Sequence, residues 1–305
     1  MPAAAQDFPN KPIRLISSYT PGGGNDVAAR IMAEALTPRL GQQVVVENRP
    51  GASGLIGSDY VAKSAPDGYT WLWASVDTMT MVPALKANMP YEVDDLTFIA
   101  KTSENGMTFA ISSSLPVKTL AEFIAYARAN PGKIRYGTNG VGAAPHLAAE
   151  LFLKQTGIKM THVPYKGIAN AMSDLLGAHI EMVPLTPVAI APHVDSDKLR
   201  IIGFTAAERH PSLPNVPTLK ELGFPQATVT VWYSMVGPGK IPAPIADRMR
   251  KEVAAALADP VVKEKLAKLG STVAPVYGDA FRKMVADELK QWKDIAKAES
   301  IVFQE

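Results

Sequence analysis

Apolar positions along the chain fall into short runs that alternate with helically spaced stretches. Ile13-Arg14-Leu15-Ile16-Ser17-Ser18-Tyr19 has the content of a strand and is stopped by Pro21-Gly22-Gly23-Gly24. Val27, Ile31, Ala35 and Leu36 then share one helical face, and Pro38, which does not suit a helix interior, should end or kink that helix nearby. Val44-Val45-Val46 predicts a second strand, Asn48-Arg49-Pro50-Gly51 a turn, and residues 55–63 a second helix. After the Pro66-Asp67-Gly68 turn, Tyr69-Thr70-Trp71-Leu72-Trp73-Ala74 predicts a third strand. A βαβαβ run of this kind makes a parallel sheet.

The pattern then repeats. Residues 107–112 are strand-like, 120–128 helical up to Pro131-Gly132, and Ile134-Arg135-Tyr136 is a short strand. It runs into the glycine-rich Gly137-Thr138-Asn139-Gly140-Val141-Gly142, and a helix carrying Leu147, Leu151 and Phe152 follows. Residues 162–163, 180–183 and 199–204 are further strand candidates, 218–222 a short helix in a proline-rich segment, and 229–236 another strand. The C-terminal segment reads as mostly helical. Phe281, Val285, Leu289, Trp292 and Ala296 give it an amphipathic helix, expected to pack on the first sheet. The expected architecture is α/β with two lobes, each an open, mostly parallel sheet flanked by helices. The first lobe takes residues 1–105 plus 232–305, the second 106–231, with hinges near 105 and 231.

Composition narrows the function classes. With 305 residues and 47% of them hydrophobic, the chain is long enough for two cores. Its 31 Lys and Arg against 29 Asp and Glu give a net charge of +2, which argues against a nucleic-acid partner. No apolar run approaches the roughly 18–20 residues of a membrane span. The absence of cysteine excludes disulfides, thiol nucleophiles and thiolate metal sites. The small residues of Met1-Pro2-Ala3-Ala4-Ala5-Gln6-Asp7-Phe8-Pro9 resemble what remains around a signal-peptidase site, so a processed, exported chain is expected; an ordinary N-terminal arm is the alternative.

The candidate chemistry lies at two strand-to-helix junctions. Three consecutive glycines after Tyr19-Thr20-Pro21 allow positive φ and remove side chains, while the free N–H groups of the next helix start favour an anion. A flexible turn is the alternative. Gly137 to Gly142, leading through Ala143-Ala144-Pro145 to His146, is the second such junction. The pair would form a two-jawed anion site at the carboxyl ends of the strands. Dinucleotide binding fails on spacing, because G-x-G-x-x-G from Gly22 needs glycine where Val27 stands, and Gly51-Ala52-Ser53-Gly54 is not a nucleophile elbow. None of the five histidines forms a metal motif; His146, beside a glycine loop, is the one that could line a pocket. Asp26 is read first as a loop brace or helix-end charge, with an amine ligand as its other use.

Nearly end to end, the chain resembles the Bug receptors, the substrate-binding component of tripartite tricarboxylate transporters. The likeness rests on Pro21-Gly22-Gly23-Gly24 with Asp26 and Arg30, on Val44 to Gly51, and on Pro66-Asp67-Gly68-Tyr69-Thr70. It continues through Asn130-Pro131-Gly132-Lys133, His146-Leu147-Ala148, His162-Val163-Pro164-Tyr165-Lys166-Gly167, Asp174-Leu175-Leu176-Gly177 and Leu213 to Thr218. It implies a periplasmic, two-lobed receptor that closes by a hinge on a small carboxylate. Carried over by position, Pro21–Gly24 form the first jaw, Thr138, Asn139, Gly140 and on to Gly142 the second, and the side chains from Ser75 to Thr78 with Thr186 complete the pocket. Tyr19, Asp26, Ala143 and His146 are the other candidate lining residues, with Met79 and Met81 nearby. Gly22, where many relatives carry Ala, and the Ser75-Val76-Asp77-Thr78 wording depart from the family pattern.

The expected function is non-enzymatic capture of an aromatic or short aliphatic mono- or dicarboxylate for uptake. The expected protein is a monomer with membrane transporter subunits as partners and neither cofactor nor metal. A sensor presenting its ligand to a signalling receptor, or an α/β enzyme using His146 as base, are the alternatives.

Overall fold

A computed structural model describes residues 8–298; most of the N-terminal peptide read as a cleavage remnant lies outside them. In chain order the strands are β1 Ile13–Ser17, β2 Val44–Asn48, β3 Thr70–Ser75, β4 Thr97–Asn105, β5 Thr108–Ser112, β6 Arg135–Thr138, β7 Thr161–Pro164, β8 Met182–Leu185, β9 Leu199–Phe204, β10 Val231–Gly237 and β11 Thr272–Tyr277. The helices are α1 Gly24–Leu40, α2 Leu55–Ala62, α3 Val82–Leu85, α4 Leu120–Ala129, α5 Ala144–Thr156, α6 Ile168–Leu176, α7 Pro187–Ile190, α8 Ala243–Ala258, α9 Pro260–Lys268 and α10 Gly278–Ala298.

The strands form two sheets, ordered β11-β4-β10-β3-β1-β2 and β7-β6-β8-β5-β9. The two-lobed α/β architecture is the expected one, but the sheets are mixed rather than mostly parallel, because β5 and β10, the strands that follow each crossing between them, enter antiparallel. Pairing is parallel where the glycine loops leave, at β2-β1-β3 and β7-β6-β8, and antiparallel elsewhere. The chain passes between the sheets at Gly106-Met107, joining β4 to β5, and returns just ahead of β10.

Burial explains the strand sequences. Every residue of β3 is buried, so helices cover both faces of the first sheet and no polar alternation is needed. Trp71 and Trp73 are fully enclosed there, and full burial of a large apolar side chain contributes about 1.5–3 kcal/mol. Phe281 and Val285 bury the start of α10, where Phe281 meets Phe98 of β4 edge-on at 5.2 Å between ring centres.

One local expectation holds and two change. The first helix ends two residues after Pro38, as expected, where Gly41 adopts a left-handed cap at φ 69°. Residues 218–222 form turns rather than a helix, because their backbone pairs with the end of β9: Leu219 N–H donates to Phe204 O at 2.7 Å and Phe204 N–H to Pro217 O at 3.0 Å. The C-terminal third contains β11 among its helices.

Candidate ligand-binding site

Sheet order decides which loops meet. β1 lies between β2 and β3, and β6 between β7 and β8, so the loops leaving β1, β3, β6 and β8 all emerge at carboxyl ends beside a reversal of strand order. β10 runs antiparallel to β3 with Tyr233 opposite Ser75, which delivers Val231 and Tyr233 to the same edge. These segments enclose a narrow cleft between the sheets with a cavity volume of about 50 Å³.

The cleft is lined by Tyr19, Thr20, Gly23, Gly24 and Asn25 from the first glycine junction and by Ser75 and Asp77 from the end of β3. Asn139, Ala144 and Pro145 come from the second junction, with Thr186, Tyr233 and the apolar Met107, Ile168, Leu185 and Val231 around them. Of the residues expected from sequence, Tyr19, Gly23, Gly24, Ser75, Asn139 and Thr186 reach this lining. Pro21, Gly22, Asp26, Thr78, Thr138, Gly140, Gly142, Ala143 and His146 lie outside it.

Each of those outside has a structural partner or position that accounts for it. Pro21 and Gly22 are exposed on the loop's outer side. Asp26 is a brace: its carboxylate accepts Gly22 N–H at 3.0 Å, Asn48 Nδ2 at 2.7 Å, and Arg30 Nε and Nη2 at 3.0 and 2.9 Å. Burial works against its charge, but the bonds from Arg30, Gly22 and Asn48 outweigh it and hold the carboxyl below its usual range. Thr78 Oγ1 donates to Ser75 O at 3.3 Å, and Met79 and Met81 are sealed in the core, leaving Met107 as the methionine of the cleft. Ala143 precedes α5 without a side-chain cap, and Gly140 packs on Ser53 of the opposite lobe.

His146 points away from the cleft into an aromatic stack. Its ring lies 4.3 Å from that of His162, which lies 4.9 Å from Tyr136. His146 Nδ1 accepts Gly142 N–H at 3.1 Å, and His162 Nε2 sits 2.7 Å from Thr138 Oγ1, so the pair supports the second loop from behind. Burial lowers both imidazoles to about 4, keeping them neutral at physiological pH.

The glycines also act differently from expectation. Of Gly22 to Gly24 only Gly22 has positive φ, while Gly23 is extended at φ −77°. Gly24 is required by close approach. A Cβ there would lie 2.6 Å from Tyr233 Oη, 2.7 Å from Thr186 Oγ1 and 2.9 Å from Val188 Cγ1.

Asp77, inside the Ser75–Thr78 stretch expected at the pocket but not singled out within it, is the residue that joins the two sides. It follows β3 at the start of a π-helical turn and is 3% exposed. Its carboxylate accepts Tyr19 Oη–H at 2.6 Å on its own side of the cleft. From across the cleft it accepts Asn139 Nδ2 at 3.1 Å and Ala144 N–H at 2.8 Å. Burial pushes its carboxyl above the usual range, opposed by these three bonds, and burial followed by Asp77's charge raises the Tyr19 hydroxyl well above its own. The available signal was the start of α5, which has no Ser, Thr, Asp or Asn at its cap position and needs an acceptor from elsewhere.

Among the described residues Asp77 is the only charged side chain of the lining, and no cluster of three or more His, Asp or Glu could hold a metal ion. Thr20 Oγ1 and Asn139 Oδ1 are buried there without a partner. No helix of the described residues is long and apolar enough to cross a membrane.

Two α/β lobes meeting over a cleft at the carboxyl ends of their strands define a periplasmic-binding-protein fold. The chain belongs to the tripartite tricarboxylate transporter family receptors, the Bug receptors, whose family pattern matches residues 28–301. It is 35% identical over 302 residues to Protein BugT of Bordetella pertussis, covering 97% of this chain and 91% of that one. The solved periplasmic binding protein BugD superposes with a TM-score of 0.93 at 32% identity, covering 97% of this chain and 100% of BugD. An R. palustris protein solved with adipate superposes equally well, at 0.93 and 31% identity, over 97% of this chain and 99% of its own.

Proposed function

We propose that this chain is a periplasmic receptor that captures a small carboxylate between its lobes and passes it to membrane transporter subunits. The observation that carries the reading is the first jaw. The N–H groups of Gly24, Asn25 and Asp26 open α1 with no acceptor among the described residues, and Gly23 at the cap position has no side chain to fill the gap. An anion there meets three aligned donors and the favourable end of the helix dipole. The unpartnered Thr20 hydroxyl adds a fourth donor.

The lobes in this reading are residues 1–105 with 232–305, and 106–231, hinged near 105 and 231 where the chain crosses between sheets. Binding rather than catalysis fits the lining. His146, the candidate base, faces the stack behind the loop, and Asp77 is occupied by three hydrogen bonds. The likeness to BugT, BugD and the adipate-bound protein supports capture of a carboxylate, and the mixed apolar lining favours an aromatic or aliphatic body.

A thermal-shift screen of carboxylates followed by competition calorimetry tests this, since a ligand at 100 times its Kd stabilises by about 2.7 kcal/mol. Aromatic or short aliphatic carboxylates are expected to outcompete citrate, whose extra charges find no cation in the lining. Citrate binding tighter than all of them, or turnover of a bound carboxylate, would overturn the reading.

A further inference from the structure

The two jaws are not equally free. At α1 the first-turn N–H groups are open, whereas at α5 the Ala144 N–H already donates to Asp77 across the cleft, and Asn139 Nδ2 donates to the same carboxylate. We propose that Asp77 is a built-in carboxylate for the second jaw, so that the receptor selects ligands bearing one carboxylate, held at α1, over ligands bearing two. The inference rests on the reading of the cleft as a carboxylate site and names the residue that restricts it.

Three observations carry it. First, Asp77 makes the contacts that a ligand carboxylate would make at a helix N-terminus: a backbone N–H at 2.8 Å, a side-chain amide at 3.1 Å and a hydroxyl at 2.6 Å. A second ligand carboxylate would have to displace it or lie beside it, and like charges that close inside a buried site disfavour each other strongly. Second, no lysine or arginine lines the cleft among the described residues to neutralise such a pair. Third, the buried side-chain atom left without a partner on this side, among the described residues, is an acceptor. One N–H of Asn139 Nδ2 goes to Asp77, while its Oδ1 is unpartnered on a residue only 9% exposed, and that oxygen calls for an N–H, an O–H or a water rather than an anion. Between the jaws, Met107, Pro145, Ile168, Leu185 and Val231 suit an uncharged body.

The test is calorimetry with matched pairs that differ only in the second carboxylate, hexanoate against adipate and butanoate against succinate. Wild-type protein should bind each monocarboxylate at least about tenfold tighter than its partner, the scale of one uncompensated buried charge contact. In Asp77→Ala, which frees Ala144 N–H and Asn139 Nδ2, the ratio should shift toward the dicarboxylate by about tenfold or more. Equal or tighter wild-type binding of the dicarboxylates overturns the proposal without any variant, as does an unchanged ratio in Asp77→Ala. If that variant does not fold, Asp77→Ser provides the same comparison with a smaller hydroxyl in place. Failure of the underlying reading looks different: no carboxylate binds wild type at all, or binding is indifferent to Gly24→Val.

Discussion

The two jaws of the cleft begin alike and end as opposites. Both α1 and α5 start after a glycine-rich loop, and neither supplies its own capping side chain. At α1 the loop is tied down from outside the cleft by Asp26, Arg30 and Asn48, which leaves the N–H groups of Gly24, Asn25 and Asp26 free. At α5 the loop is propped from behind by two neutral histidines, and its leading N–H is capped by an aspartate from the other lobe. An uncapped helix start is therefore ambiguous in sequence. It marks a ligand site only if the fold brings no other acceptor to it.

The largest effect expected from breaking this comparison is at Gly24. A valine there must push against Tyr233, Thr186 and Val188, so the lobes cannot approach as they do now. Overpacking of this kind costs typically about 1–3 kcal/mol, which corresponds to roughly a 5–150-fold loss of affinity. Calorimetry of Gly24→Val checks it, with far-ultraviolet circular dichroism to show the fold is kept. Gly23→Val should cost less, because a Cβ at Gly23 makes ordinary contacts, with Ile168 Cγ2 at 3.4 Å and Thr20 O at 3.7 Å, and its φ is not left-handed. Equal losses at both positions would remove the distinction.

Acid separates the jaws next. The imidazoles of His146 and His162 fall from 6.5 to about 4 on folding, so the unfolded chain binds more protons between these values. Their contribution is complete above pH 6.5 and is lost as the pH falls toward 4. For the buried His146 alone the loss between pH 7 and pH 5 is about 2 kcal/mol. Protonated His146 also stops accepting Gly142 N–H, so the second loop loosens. Asp26 acts with the opposite sign of charge and lower on the scale. Its carboxyl is held below the usual range, so the first jaw keeps its brace until the pH falls through that lowered value. Thermal melts from pH 7.5 to 4.5 should fall in wild type and flatten in His146→Gln. A wild-type curve with no slope over that range contradicts the burial of this pair.

How much of this was visible in sequence follows from range. Strands β1, β3, β5 and β9 and helices α4 and α10 stand close to where periodicity puts them, because each is decided by neighbours a few residues away. β4 was hidden. It is central and buried, yet carries Lys101, Thr102, Ser103 and Glu104; Thr102 Oγ1 donates to Tyr233 O at 3.0 Å and Lys101 pairs with Glu104, while the Ser103 hydroxyl stays unpartnered. β11 was hidden by Pro275, which an edge strand with an irregular register between Val273 and Val276 tolerates. The first jaw was legible as a loop, since a strand, three glycines and a helix are contiguous. Asp77 was legible only as part of the Ser75–Thr78 stretch, and its role was not, because its partners Asn139 and Ala144 are far away in the chain and meet it only once both lobes exist. The side taken by His146 was not legible for the converse reason: nearness to a glycine loop says nothing about whether the ring faces the cleft or, as here, the stack with His162.

The smallest expected effect sits where the jaws touch outside the cleft. Ser53 Oγ donates to Val141 O at 2.8 Å, and a Cβ on the neighbouring Gly140 would lie 2.3 Å from the same oxygen. The contact joins the loop after β2 to the loop after β6, and so exists only while the lobes are together. Ser53→Ala removes one neutral hydrogen bond, worth about 0.5–1.5 kcal/mol net, which is roughly a 2–12-fold loss of affinity. It leaves the Val141 carbonyl to water, which can reach it when the lobes part, so the ligand-free melting temperature should barely move. Ser53 also holds φ 54°, a strain that alanine inherits, so the substitution isolates the hydroxyl rather than the backbone. The pair of measurements is decisive in either direction. Weaker binding with an unchanged melt places this bond in the closed state alone, whereas an affinity within about twofold of wild type, less than one such hydrogen bond is worth, means that closure is governed at Asp77 and Gly24.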